Sequence, residues 1–176
     1  METIVNKVAE SGIITLDLAP YIPTNEVVSF DLKPFLFREM ILREKDYRAA
    51  LQTYDWAQYE GKHVAVMCSV DAVIPVWAYM LAASYLQPVA LSVYFGTQEE
   101  LKKILLVRRI NEIDLEEYTD KRVVIKGCGD TPIPEAAYLA VTVHLRPVAR
   151  SIMYGEPCST VPIYKKALKP GTTSAL

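Results

Sequence analysis

Short apolar runs alternate with longer apolar or amphipathic stretches along most of this chain, and one such succession occurs twice. The run 62–67 (Lys-His-Val-Ala-Val-Met) reads as a strand, and the apolar stretch 71–86 that follows reads as a helix. Asp71 is placed to cap that helix, with Pro75 in its first turn and Pro88 beyond its end. Residues 90–95 (Ala-Leu-Ser-Val-Tyr-Phe) form the next strand, and Gly96 turns the chain. Thr97 then opens a charged amphipathic helix to about Arg109, with Glu100 completing a capping box. The second copy runs through a strand at 122–126, a helix capped by Thr131 with Pro132 at its first position, and a strand at 150–154.

The two copies keep one offset of 59 residues, which pairs Asp55/Asp114, Tyr59/Tyr118, Lys62/Lys121, Asp71/Asp130, Pro75/Pro134, Ala78/Ala137 and Tyr79/Tyr138. Residues 87–96 pair with 146–155 at the same offset. This is read as an internal duplication of one strand-helix-strand unit. Ahead of it, residues 11–18 and 26–32 alternate as strands around turn chemistry at 20–25, forming an N-terminal hairpin or arm. Pro34 with Phe35, Leu36, Met40 and Leu42 predicts a helix that the charged run 43–46 interrupts.

Alternating strands and helices predict a single α/β domain with a mainly parallel sheet. Joining the duplicated units about a pseudo-twofold axis gives strand order 2-1-3-4, with the strands at 62–67 and 122–126 side by side at the topological switch point. The expected organisation is an N-terminal arm and helix over 1–54, a duplicated core over 55–163 and a solvated tail over 164–176.

Composition adds limits. The hydrophobic fraction of 51% suits a globular chain, and 19 basic against 21 acidic residues leave a net charge of −2, with no electrostatic footprint for nucleic acid. Stretch 70–86 is short for a membrane span and carries Asp71, Pro75 and Ser84, so a buried helix is expected and no membrane partner. Glu2, Lys7 and Glu10 interrupt any apolar leader, which points to the cytoplasm. The glycines form no phosphate loop, and His63 and His144 fall at the wrong ends of their elements to act as bases for a cysteine.

All three cysteines follow predicted strands: Cys68 after the first, Cys128 after the third and Cys158 after the fourth. On a sheet of that order, with strands about 4.8 Å apart, the three thiols converge at one edge. Asp71, Asp130 and Glu156 stand beside them as further donors. Three thiolates select zinc or an iron–sulfur cluster over hard cations. Two other classes compete with this metal reading. In one, Cys68 and Cys128 exchange thiol and disulfide without metal, and Cys158 resolves them. In the other, the cysteines are packed core thiols of a homodimeric scaffold joined through helix 70–86, with Trp77, Tyr79 and Tyr85. Core packing is the preferred reading of those three aromatics.

The runs Val5-Asn-Lys-Val-Ala, Leu42-Arg-Glu-Lys-Asp, Val124-Ile-Lys-Gly-Cys128 and Gly155-Glu-Pro-Cys158-Ser-Thr-Val-Pro, with 11–18, resemble an uncharacterised bacterial family described only as a domain of unknown function. The resemblance covers nearly the whole chain apart from the tail. It implies proximity to iron–sulfur assembly proteins, beside which such proteins tend to be encoded, and so favours an iron–sulfur cluster. It carries no activity and no site residue.

Overall fold

The runs 63–67 and 122–126 carry apolar side chains at successive positions, the pattern of a strand covered on both faces and paired along both edges. Each has that setting, but in a different sheet. The computed structural model describes residues 12–127, 129, 131–156 and 159–167 of the chain. The fold is mixed α/β, and the chain divides into two compact units: Pro23–Leu105, the central unit, and the residues up to Ile22 together with those from Leu106 onward, the terminal unit.

In the central unit, β2 (Val27–Asp31), β5 (His63–Met67) and β6 (Ser92–Phe95) form a parallel sheet in the order β2-β5-β6. Val27 pairs with His63 and His63 with Ser92. Between β5 and β6 the chain crosses through α2 (Val76–Leu86), whose Ala78, Ala82 and Leu86 face inward at a spacing of four. Two alanines in that stripe let the helix approach the sheet closely. They pack with Val64, Val66, Phe30 and Leu32, while Ala65, of opposite parity on β5, packs with Leu101 and Leu105 from α3 (Gln98–Asn111). The capping box forms as read: the Glu100 N–H donates to Thr97 Oγ1 at 3.2 Å, and the Thr97 N–H to Glu100 Oε2 at 2.7 Å.

The terminal unit has β1 (Ile13–Leu16), β7 (Arg122–Lys126), β8 (Ser151–Glu156) and β9 (Ser159–Lys165) in that order, with β9 antiparallel to the other three. Helix α4 (Glu135–Leu145) joins β7 to β8 and turns Ala137, Val141 and Leu145 into a core with Val123, Ile125 and Ile152. Pro162 sits on β9, an edge strand, beside the register shift at Ile152/Met153, a setting that tolerates proline.

Several expectations are corrected. The order 2-1-3-4 does not occur, because β5 and β7 lie in separate sheets. The segments read as an N-terminal arm do not pair with each other. Instead β2 takes the free edge of β5, and β1 takes the free edge of β7, each parallel. Those additions satisfy the backbone groups that a β5–β7 pairing would have used. The helix expected from Pro34 is absent. A 3-10 turn (Lys33–Phe35) leads into a hairpin of β3 (Leu36–Phe37) and β4 (Ile41–Leu42), then α1 (Glu44–Gln52). Arg38 and Glu39 hold φ of 53° and 57° at the hairpin turn, and the Met40 N–H donates to the Phe37 carbonyl at 3.2 Å. The charged run 43–46 opens α1 rather than breaking a helix, since Glu44 and Asp46 fall in its first turn. Helices α2 and α4 begin after extended Pro75 and Pro134, later than Asp71 or Thr131 would place them. Part of the expected tail is β9.

Candidate functional site

Parallel strands present their carboxyl ends to loops, and ligands of open α/β sheets bind there. In the terminal unit, the ends of β1 and β7 are joined by an ion pair: Lys126 Nζ lies 3.0 Å from Asp17 Oδ2. Asp17 also accepts the Ala19 N–H at 2.9 Å, closing a turn after β1. The Ala19 N–H first, and then Lys126, hold the Asp17 carboxyl below its ordinary value of 3.8. Tyr138 of α4 and Tyr154 of β8 meet edge to face with ring centres 5.5 Å apart. The Tyr154 hydroxyl donates to the Gly127 carbonyl at 3.3 Å and Tyr138 to the Lys126 carbonyl at 3.5 Å. The residues leading into Cys128 are thus held from two sides. Gly127 suits this contact, since a Cβ there would stand 2.7 Å from Tyr154 Cζ. A pocket of about 730 Å³ opens over this edge, bounded by Asp17, Lys126, Gly127, Thr131, Glu135 and Tyr138 among others. That is the size of a small-molecule site.

The central unit has a similar edge. Asp31 ends β2 and accepts the Lys33 N–H at 2.9 Å, as Asp17 does with Ala19. Its two carboxylate oxygens also take the Ser69 N–H at 3.0 Å and the Ser69 hydroxyl at 2.5 Å. Burial opposes the charge on Asp31, but Ser69 and the backbone N–H donors outweigh it and hold its carboxyl below 3.8. Tyr79 and Phe95 meet edge to face at 5.2 Å, at positions 59 before Tyr138 and Tyr154.

These depressed carboxyls give a pH prediction. Asp17 and Asp31 stay charged in the fold at a pH where the unfolded chain takes up protons. Their stabilisation is fully present above about pH 4, the unfolded value, and is lost as pH falls from there through the lower folded values. Melting temperature is expected to drop below pH 4, and Asp31→Asn to flatten that acid limb while removing roughly 1–2 kcal/mol at neutral pH through its lost Ser69 contacts. An acid limb unchanged in both Asp17→Asn and Asp31→Asn would refute this assignment.

The predicted site residues are distributed as follows. Cys68 is half-buried just after β5, a free thiol packed against the aromatic core of the central unit and close enough to Tyr79 to help raise the phenol's pKa, after burial. Asp71 is exposed, ahead of α2 and outside its cap. Glu156 ends β8, half-buried, opposite Ser159 of β9. Cys128, Asp130 and Cys158 lie outside the described residues. The strand adjacency that brought Cys68 to Cys128 is absent, because their strands belong to different sheets. Among the described residues no group of three or more His, Cys, Asp or Glu is arranged to hold a metal. Trp77, Tyr79 and Tyr85 pack against the central core, as preferred. Among the described residues no helix is long and apolar enough to cross a membrane.

Sequence reasoning missed Asp17, Asp31 and Lys126. A signal for both aspartates was present: Asp17-Leu-Ala-Pro20-Tyr21 and Asp31-Leu-Lys-Pro34-Phe35 share one pattern, 14 residues apart. Lys126 had no such signal, being one cation at the end of an apolar strand.

Compared with known proteins, residues 2–166 match the family model described as protein of unknown function (DUF2480). No curated protein and no solved structure matches the chain.

Proposed function

We propose, from the premise that this chain belongs to the DUF2480 family, that it is a metal–thiolate protein whose site is built on Cys128 and Cys158. The supporting observation is the pairing of β7 with β8, in which Lys126 stands opposite Gly155. Cys128 follows Lys126 by two residues and Cys158 follows Gly155 by three. Strands about 4.8 Å apart and successive Cα atoms about 3.8 Å apart give tethers short enough to allow both thiols to bind one ion. Asp130 and Glu156 add carboxylates to the donor set. Two thiolates with carboxylates fit zinc, and the thiolates fit an iron–sulfur cluster. Bound there, zinc would act as a Lewis acid, whereas a cluster would carry electrons or be cargo for assembly proteins. Gly127 and Gly129 flank Cys128 without side chains, and Tyr138 and Tyr154 fix the entry to that loop. The cytoplasmic setting and the tie to iron–sulfur assembly belong to the same proposal.

The two units are read as products of one duplication that took in a preceding strand. The 59-residue offset supports this, as do the repeated Asp-Leu-x-Pro turn and the paired aromatic contacts Tyr79–Phe95 and Tyr138–Tyr154.

Metal analysis tests the site. Protein purified without oxygen is expected to contain iron with acid-labile sulfide, or about one zinc per chain. Cys128→Ser and Cys158→Ser should each lose most of that metal and melt at lower temperature, because binding to the folded state is linked to folding. Cys68→Ser measures the third thiolate: loss of metal adds Cys68 to the ligand set, and retention leaves it a core thiol. Anaerobic protein that lacks iron and zinc and cannot be reconstituted ends the metal proposal.

A further inference from the structure

At the opposite end of the same sheet, Arg122, Ser151 and Lys165 stand directly across from one another on β7, β8 and β9. Directly paired positions project from one face of a sheet, so this row spans three strands, about 10 Å. Arg150 precedes Ser151, and its carbonyl accepts the Lys166 N–H at 2.9 Å, which ties the two cationic residues together. A cleft of about 600 Å³ is lined by Arg122, Arg150, Lys165 and Lys166, with Ser151 and Tyr164. Among the described residues no carboxylate lines it. Of the four cations, Lys166 alone is seen in an ion pair among the described residues, with Asp120 at 3.9 Å and both groups well exposed, an arrangement worth little.

Four like charges around one concavity repel one another unless an anion occupies it. The strand architecture does not demand them. In the central unit the corresponding positions, 59 residues earlier, are His63, Leu91 and Ser92, with His63 Nδ1 2.6 Å from Ser92 Oγ. Position 91 is thus apolar where 150 is arginine. Guanidinium and ammonium groups around a serine hydroxyl are donors throughout, and they match phosphate oxygens. We infer that this cleft binds a small molecule bearing two or more linked phosphates. The ligand is small because the cleft has the volume of a small-molecule site, and carries several phosphates because the charged row extends over three strands.

The test uses the full chain with tripolyphosphate as probe and sulfate at matched ionic strength as control. Tripolyphosphate at a hundred times its Kd is expected to raise the melting temperature by about 5–10 °C. Arg122→Gln and Arg150→Gln are each expected to weaken binding about tenfold or more, because each removes charge-assisted hydrogen bonds. Both side chains are exposed, so their melting temperatures without ligand should stay close to that of the parent. Cys128→Ser should bind tripolyphosphate as the parent does, which separates this cleft from the proposed metal site. Equal stabilisation by sulfate, or unchanged binding in both arginine variants, overturns the inference. Tighter binding of single-stranded nucleic acid through the same arginines also overturns it, because the occupant would then be a macromolecule.

Discussion

Replacing Gly155 by valine is expected to destabilise the protein by about 3–5 kcal/mol, combining backbone strain with a steric clash. Gly155 lies in β8 with φ of +123°, a region that L side chains rarely adopt. A Cβ at this position would also stand 2.5 Å from the Ser159 carbonyl oxygen, in the backbone of the neighbouring strand β9. A backbone atom cannot rotate aside, so either β9 shifts or the φ changes. Gly96 is the contrast, since its φ of +127° is similar but its nearest neighbour is Glu100 Oε2 at 2.7 Å, the end of a flexible side chain. Alanine at 96 is therefore expected to keep the strain and relieve the clash, for roughly 1–3 kcal/mol. At about 2–4 °C per kcal/mol, thermal denaturation resolves the two. Equal melting temperatures for Gly155→Val and the parent would show that β9 does not depend on this close approach.

Phe30→Ala is expected to cost about 4–5 kcal/mol, the upper part of the range for a buried aromatic. Phe30 is 1% exposed on β2. Its ring lies 5.5 Å from Phe35, 5.4 Å from Trp56, 5.6 Å from Tyr54 and 6.1 Å from Tyr59. The cavity would be walled by rings that themselves interlock, as in the Trp56–Tyr85 stack at 5.1 Å, so collapse into it is limited. Aromatic pairing adds to the area term. Phe95→Ala serves as control: Phe95 is 74% exposed and makes one edge-to-face contact with Tyr79, so its loss should cost under about 1 kcal/mol. Tryptophan fluorescence should shift to the red in Phe30→Ala as Trp56 loses one of its two stacked neighbours among the described residues. A Phe30→Ala protein as stable as Phe95→Ala would mean that this cluster is not the core of the central unit.

The Phe30 expectation rests on β2, which the sequence displays as a strand without indicating its partner. Residues 26–32 alternate less cleanly than 11–18, and the turn residues between them favour a local hairpin. The two strands instead separate into different units. The α1 region was misread for a related reason. Phe35, Leu36, Met40 and Leu42 have helical spacing, but Arg38 and Glu39 take positive φ without the glycine or asparagine that announces such a turn. The sequence places Pro75 in a first helical turn and Pro132 at a first helical position, yet the last extended residues before the two helices are Pro75 and Pro134.

Local chemistry did determine much. The apolar runs gave the strands that became β5, β6, β7 and β8, and Thr97 with Glu100 gave the start of α3, because strand burial and capping involve residues near one another in the chain. The placement of all three cysteines after strands was likewise visible in sequence. Which strand lies beside which was not. Sheet pairing joins backbone N–H and carbonyl groups that nearly every residue carries, so a strand's side chains say how deeply it is buried and little about its neighbour. The tertiary structure alone decided that β1 and β2 complete two sheets, and thereby assigned the strand that precedes Cys68 and those that precede Cys128 and Cys158 to different sheets. It also aligned Arg122 and Lys165, 43 residues apart in the chain, across β8 in one row.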